Sequence, residues 1–237
     1  MQTELAFLEP DAPAGPLPDR FMDWFAGRGW APHAHQLALV EAAARGRHAL
    51  LIAPTGGGKT LALAAAMDNR GTLVASDTDR QRLSQLAPRA QRAGAAIAET
   101  VLLDPRREAD ALSRWSGRAD AVLVDAPCSG TGTWRRNPEA RWRLSEAQIL
   151  RYAEAQARLL DIAAGLVGPD GRLVFVTCSL LDAEGSSQVE NFLARHPGWQ
   201  ADRPELPLGR PRGQGIRLTP YHDGTDGFFV ARLRPIC

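Results

Sequence analysis

A chain of 237 residues, 44 % apolar and 23 % charged, has the composition of one soluble domain with at most a short appendage, which excludes a collagen-like or wholly disordered protein. The net charge of +1 excludes a global basic field, so nucleic acid, if bound, is met by local patches. Three scattered cysteines (Cys128, Cys178, Cys237) do not make a disulfide framework, no apolar run suits a membrane span, and the N-terminus lacks a signal-peptide pattern, so a reducing cytoplasmic setting is expected.

Residues 1–19 read as a loose arm, with Pro10, Pro13, Pro16 and Pro18. Helical spacing runs from Phe21 to Arg45 and is broken at Pro32. From His48 onward strand and helix patterns alternate. A short apolar run over Ala49–Ala53 predicts a buried strand, followed by a glycine-rich turn and an alanine-rich helix from about Gly58 to Asn69. A strand over Thr72–Ser76 ends at Asp77, a helix covers Asp79–Ala93, and a strand over Ala96–Leu103 ends at Asp104. A helix over Glu108–Ser116 leads to the strand Ala121–Asp125. After a long loop rich in Gly, Pro and Arg, Ser145 caps a helix running to about Val167. Gly168-Pro-Asp-Gly171 reads as a turn, Arg172–Thr177 as a strand, Glu184–Arg195 as a helix and Thr225–Leu233 as a closing strand. Such alternation predicts a doubly wound, mostly parallel sheet with helices on both faces.

In sheets of this kind ligands bind at the carboxyl ends of the strands. Five strand ends here carry polar chemistry: the glycine-rich turn, Asp77, Asp104, Asp125-Ala-Pro-Cys128 and Thr177-Cys178-Ser179. Any one of them alone is an ordinary turn acid or a small buried thiol. Five on one rim make a site. Carboxylates at Asp77 and Asp104 suit the ribose hydroxyls and the amine of an adenosine ligand. The turn Ala53-Pro54-Thr55-Gly56-Gly57-Gly58-Lys59-Thr60 allows close backbone approach to such a ligand, and it also fits the helicase form of a phosphate-binding loop. Lys59, the chain's only lysine, serves either reading. No spacing suggests a metal site. A thiolate can add to an electron-poor ring carbon, so Cys128 and Cys178 are candidates for divided nucleophile and base roles. In the loop from Thr131 to Arg143, Arg135, Arg136 and Arg141 beside Trp142 suit phosphates and unstacked bases of single-stranded RNA.

These motifs carry a family resemblance. From about Gly57 onward the chain resembles bacterial ribosomal RNA cytosine-5 methyltransferases of the Sun (nucleolar-protein) family. The match rests on Asp125-Ala-Pro-Cys128-Ser-Gly-Thr-Gly, Thr177-Cys178-Ser179, Arg135-Arg-Asn-Pro-Glu-Ala-Arg-Trp142 and Thr225-Asp-Gly-Phe-Phe229. It implies a Rossmann-like class I methyltransferase fold over residues 48–237, S-adenosylmethionine as donor, ribosomal RNA as partner, and a chain acting as a monomer away from membranes. It further implies Cys178 as the nucleophile at carbon-6 of cytosine and Cys128 as the thiol that assists loss of the carbon-5 proton. By the same match Asp125 and Lys59 lie between donor and base, and Asp77 and Asp104 hold the adenosine. The family's first motif departs here, with Leu51 in place of Asp and Ala53-Pro54 in place of Cys-Ala. Upstream, Phe21 to Trp30, His35-Gln36 and Leu50 to Gly57 resemble the start of a DNA-repair-type helicase, so residues 1–47 are expected to be foreign to the family. The alternative functions are an ATP-binding helicase fragment and a catalytically impaired RNA-binding remnant.

Overall fold

A computed structural model of the chain describes residues 48–52, 59–67, 69–95, 99–204 and 206–236. The helices expected between Phe21 and Arg45, the helicase-like start and the turn from Ala53 to Gly58 therefore lie outside the described residues. The described strands are β1 (His48–Ile52), β2 (Thr72–Asp77), β3 (Glu99–Leu102), β4 (Ala119–Asp125), β5 (Val167–Thr177), β6 (Trp199–Ala201), β7 (Arg210–Arg212), β8 (Gly215–Leu218) and β9 (Phe228–Pro235). The helices are α1 (Lys59–Ala66), α2 (Arg80–Arg92), α3 (Glu108–Leu112), α4 (Glu146–Leu166), α5 (Ser186–Arg195) and α6 (Pro220–Asp223). They form a single sheet in the order β3-β2-β1-β4-β5-β9-β8-β7, with β6 also paired to β9. The first five strands are parallel, and β9 joins β5 antiparallel. This is the mixed α/β, mostly parallel sheet that the alternating pattern predicts.

Successive strand residues point to opposite faces, so near-continuous apolar strands feed two cores at once. Leu50 and Ile52 of β1, Val122 and Val124 of β4, and Leu173 and Phe175 of β5 face one apolar layer. Leu160 and Ala163 of α4 and Val189 and Phe192 of α5 cover that layer. The intervening residues Ala49, Leu51, Ala121, Leu123, Val174 and Val176 face a second layer under Leu63, Ala64 and Met67, at and just beyond α1. Leu51 is fully buried in this second layer. The cap of α4 is as expected: Ser145 and Gln148 form a reciprocal capping box.

Strands β6, β7 and β8 and helix α6 are not in the sequence reading, and two stretches that are in it differ. Gly168-Pro-Asp-Gly171 is not a loop before a strand but an irregularity within β5, between the pairs Ala119–Val167 and Ala121–Arg172. Gly171 lies so close to β4 that a Cβ there would come within 2.6 Å of the Ala119 carbonyl oxygen. The closing strand begins at Phe228 rather than Thr225, which frees Thr225–Gly227 to form a loop at the carboxyl rim.

That loop braces the one after β4. The Gly227 N–H donates to the Gly132 carbonyl at 2.8 Å, and the Gly132 N–H donates to the Cys178 carbonyl at 3.0 Å. A Cβ on Gly132 would meet the Gly227 carbonyl oxygen at 2.1 Å, so two backbones touch where only glycine fits. Gly132→Ala should therefore cost about 1–3 kcal/mol through forced backbone displacement. Urea unfolding should show a lower midpoint with an unchanged slope. An unaltered midpoint would contradict this contact.

Candidate active site

The parallel strands all end on one rim, and Asp77 and Asp125 meet in one group there, with Cys128 and Cys178 in a second. The first is a cleft of about 290 Å³ lined by Ile52, Ser76, Asp77, Leu103, Pro105, Asp125 and Pro127, among others. Asp77 closes β2 and is 6 % exposed; one of its oxygens accepts the Asp79 N–H at 2.9 Å. Asp79 in turn caps α2. Asp125 ends β4 and lines the same cleft. Asp104 follows β3 on the same rim but is exposed, and the neighbouring Leu103 and Pro105 line the cleft in its place. Glu108, buried at the start of α3, receives Arg158 of α4 at 2.9 Å and closes one side. Apolar walls from Ile52, Leu103 and Pro105 beside the carboxylates of Asp77 and Asp125 fit an adenosine with a cationic tail, the shape and charge of S-adenosylmethionine. Lys59 begins α1 at the end of the glycine-rich turn.

The second group is the thiol pair. Cys128, three residues beyond the end of β4, and Cys178, directly after β5, are half-buried, with their Sγ atoms 3.3 Å apart. The hydrogen bond to Cys178, then burial, then the negative charge of Cys178 push the Cys128 thiol far above its ordinary range. Cys128 is accordingly held as a protonated thiol facing the Cys178 sulfur.

The sequence reading missed what brings these sulfurs together. Glu184, fully buried just beyond β5, accepts the Ser129 N–H at 2.9 Å and also the Ser129 hydroxyl. Gln156 of α4 reaches the same carboxylate at 3.5 Å and donates to the Pro127 carbonyl at 2.9 Å. The Thr177 hydroxyl donates to the Glu184 carbonyl at 3.0 Å. Thr131 and Ser179 link the same two loops: their hydroxyls are 3.1 Å apart, and the Leu180 N–H donates to the Thr131 hydroxyl at 2.9 Å. A buried carboxylate is tolerated only where donors converge on it, and here they come from Ser129, next to Cys128, and from Gln156 of α4.

The arginine-rich loop divides in two. Arg136 donates from Nε to the buried Asp226 at 2.6 Å, with Arg135 3.8 Å from the same carboxylate. Arg136 is thus tied down as a brace. Arg141 lies over the Trp142 ring at 4.3 Å from its centroid, and Trp142 is 78 % exposed. These two offer a cation and an aromatic face to solvent.

Comparison with known proteins identifies the family and the fold. A family model described as "16S rRNA methyltransferase RsmB/F" matches residues 39–234, and so begins upstream of Gly57. A ribosomal RNA small subunit methyltransferase B of Xylella fastidiosa is 38 % identical over 205 residues, covering 86 % of this chain and 44 % of its own length. Among solved structures, one titled "Crystal Structure of PH0851" is 33 % identical with a TM-score of 0.79, covering 86 % of this chain and 46 % of that one. NSun6 from Pyrococcus horikoshii, solved with SFG, shares the fold at a TM-score of 0.75 and 24 % identity, covering 88 % of this chain and 53 % of that one. The chain spans about half the length of the curated relatives it matches.

The thiol pair makes a chemical prediction. Cys128 should resist alkylation by iodoacetamide through the neutral range, because its pKa is raised and the thiolate is the reactive form. Cys178→Ala removes the largest cause of that shift, so Cys128 should then be labelled faster at fixed pH and its rate profile should move to lower pH. Peptide mass spectrometry across a pH series reads both. An unchanged Cys128 profile in Cys178→Ala would contradict the pairing.

Proposed function

The chain belongs to the RsmB/F family of 16S rRNA methyltransferases, and from that premise we propose that it methylates carbon-5 of a cytosine in ribosomal RNA. The observation that carries this reading is the pair of cysteines on adjacent strand ends, 3.3 Å apart and beside a cleft that fits the donor. S-Adenosylmethionine, when bound, supplies an electrophilic methyl group. Asp77 would hold its ribose at the end of β2, Asp104 stands at the rim toward the adenine end, and Asp125 lies at the border between donor cleft and thiols. Residues Ala53 to Gly58 and Lys59 complete the donor site in this proposal.

Carbon-5 of cytosine is a poor nucleophile until a thiolate adds to carbon-6. Cys178 is assigned that addition. Its sulfur forms a bond to carbon-6, and the electrons of the 5,6 double bond become available at carbon-5. Once the methyl group is on carbon-5, loss of the carbon-5 proton restores the double bond and expels the Cys178 thiolate. Cys128 assists this second half. Its proton is held by the hydrogen bond and charge of Cys178, and both vanish while Cys178 is bonded to carbon. The Cys128 thiol then gives its proton to solvent more readily, and the thiolate left behind accepts the carbon-5 proton. Arg141 and Trp142 contact the RNA strand, Arg135 adds positive charge, and Arg136 keeps the loop in place through Asp226.

The catalytic domain is placed at residues 48–237, acting as a monomer. The helicase-fragment alternative is less well supported, since the family model runs on from residue 39 through the first two strands. Calorimetric titration separates the two readings: S-adenosylmethionine should bind and ATP should not. On denaturing gels with labelled ribosomal RNA and donor, Cys128→Ala should accumulate a covalent protein–RNA adduct, whereas Cys178→Ala should give neither adduct nor methylation. An adduct from Cys178→Ala alone would exchange the two roles. Full turnover by both variants would remove the cysteines from the reaction.

A further inference from the structure

The two most exposed large apolar side chains among the described residues are Trp142, 78 % exposed, and Tyr221, 90 % exposed. Trp142 belongs to the RNA loop described above. Tyr221 has no part in that loop, yet it sits on the same rim. It lies in α6, which follows β8; Leu218 of β8 pairs with Phe228, and the adjacent Phe229 pairs with Thr177, next to Cys178. With neighbouring strands about 4.8 Å apart, β8 runs roughly 10 Å from β5.

The backbone that carries this ring is held by hydrogen bonds. Asp223 accepts the Thr219 N–H at 2.7 Å and the Gly209 N–H at 2.9 Å, and the Thr219 hydroxyl accepts the His222 N–H at 3.2 Å. The Tyr221 ring meets the His222 ring edge-on, with centroids 4.7 Å apart. Beside α6, the strand Arg210-Pro211-Arg212 is exposed along its length. Arg212 pairs with Asp182 of the loop that follows Cys178, which ties this basic hairpin to the site.

A solvent-facing ring on a hydrogen-bonded turn, next to the exposed Arg210, is the arrangement that stacks an unpaired base and holds its phosphate, and a paired duplex offers no free base face to such a ring. We propose that Tyr221, with His222 and Arg210, is a second stacking platform that binds a nucleotide flanking the target base in single-stranded RNA. This rests on the methyltransferase reading and extends it to residues outside the arginine-rich loop.

The test is fluorescence anisotropy with a short fluorescein-labelled oligocytidine RNA. Tyr221→Ala should weaken binding roughly tenfold, the scale of one lost base stack, with the salt dependence unchanged. Tyr221→Phe should bind nearly as wild type. Arg210→Ala should reduce the slope of log affinity against log salt by about 1. In a Cys128→Ala background, Tyr221→Ala should raise the RNA concentration needed for half-maximal adduct while leaving the adduct yield at saturation intact. Wild-type affinity in Tyr221→Ala, or a Tyr221→Phe variant as weak as Tyr221→Ala, overturns the platform while the methyltransferase reading stands. If the unmodified chain binds no RNA and its Cys128→Ala variant forms no adduct, both fall together.

Discussion

A carboxylate taken out of water must be repaid with donors, and the carboxylate of Glu184 collects them from both sides of the rim. Ser129 brings the loop after β4 to it and Gln156 brings the long helix α4, while Glu184 itself stands in the segment after β5. The closeness of the two sulfurs follows from this. Cys128 precedes Ser129, and Cys178 follows Thr177, whose hydroxyl bonds the Glu184 backbone. Removing the carboxylate would leave the part-buried Ser129 N–H and hydroxyl without this acceptor, while Gln156 keeps only its bond to Pro127. Each such orphan costs on the order of 1–3 kcal/mol and would free the loops to separate.

The parallel half of the sheet gathers the donor cleft, and the antiparallel half steadies the thiols. Crossing from β4 to β5 puts two strand ends side by side, each with a cysteine just beyond it. β9, inserted antiparallel beside β5, starts where β5 stops. The Thr225–Gly227 loop therefore arrives at the same rim, where Asp226 takes Arg136 and Gly227 packs on Gly132. The residues after β5 are thus a brace for the cysteine-bearing loops as well as a sheet edge.

Much of this was legible in the sequence, for reasons that also explain the gaps. Apolar strands ending in Asp77, Asp125, Cys128 and Cys178 fixed the rim, because a parallel sheet places every carboxyl end on one side. The cap at Ser145 was legible because the capping box is a local signal. Glu184 was not: one glutamate near the start of an amphipathic helix reads as a solvated residue until tertiary contacts bury it. Strands β6, β7 and β8 and helix α6 were missed because each spans only three or four residues, with proline and glycine among them. The pairing of Arg136 with Asp226 is not legible in the sequence because the two lie 90 residues apart in the chain. Gly168-Pro-Asp-Gly171 has the composition of a turn, and only pairing with β4 shows that the strand continues through it.

The central claim is that Glu184 holds the two strand-end loops so that the thiols adjoin. Phenylarsine oxide, which bridges only closely spaced thiols, measures this directly in a Cys237→Ser background where Cys128 and Cys178 alone remain. The account predicts that this chain binds one equivalent tightly, and that Glu184→Ala, with its fold verified by circular dichroism, binds it far more weakly. Undiminished capture by folded Glu184→Ala would contradict the claim.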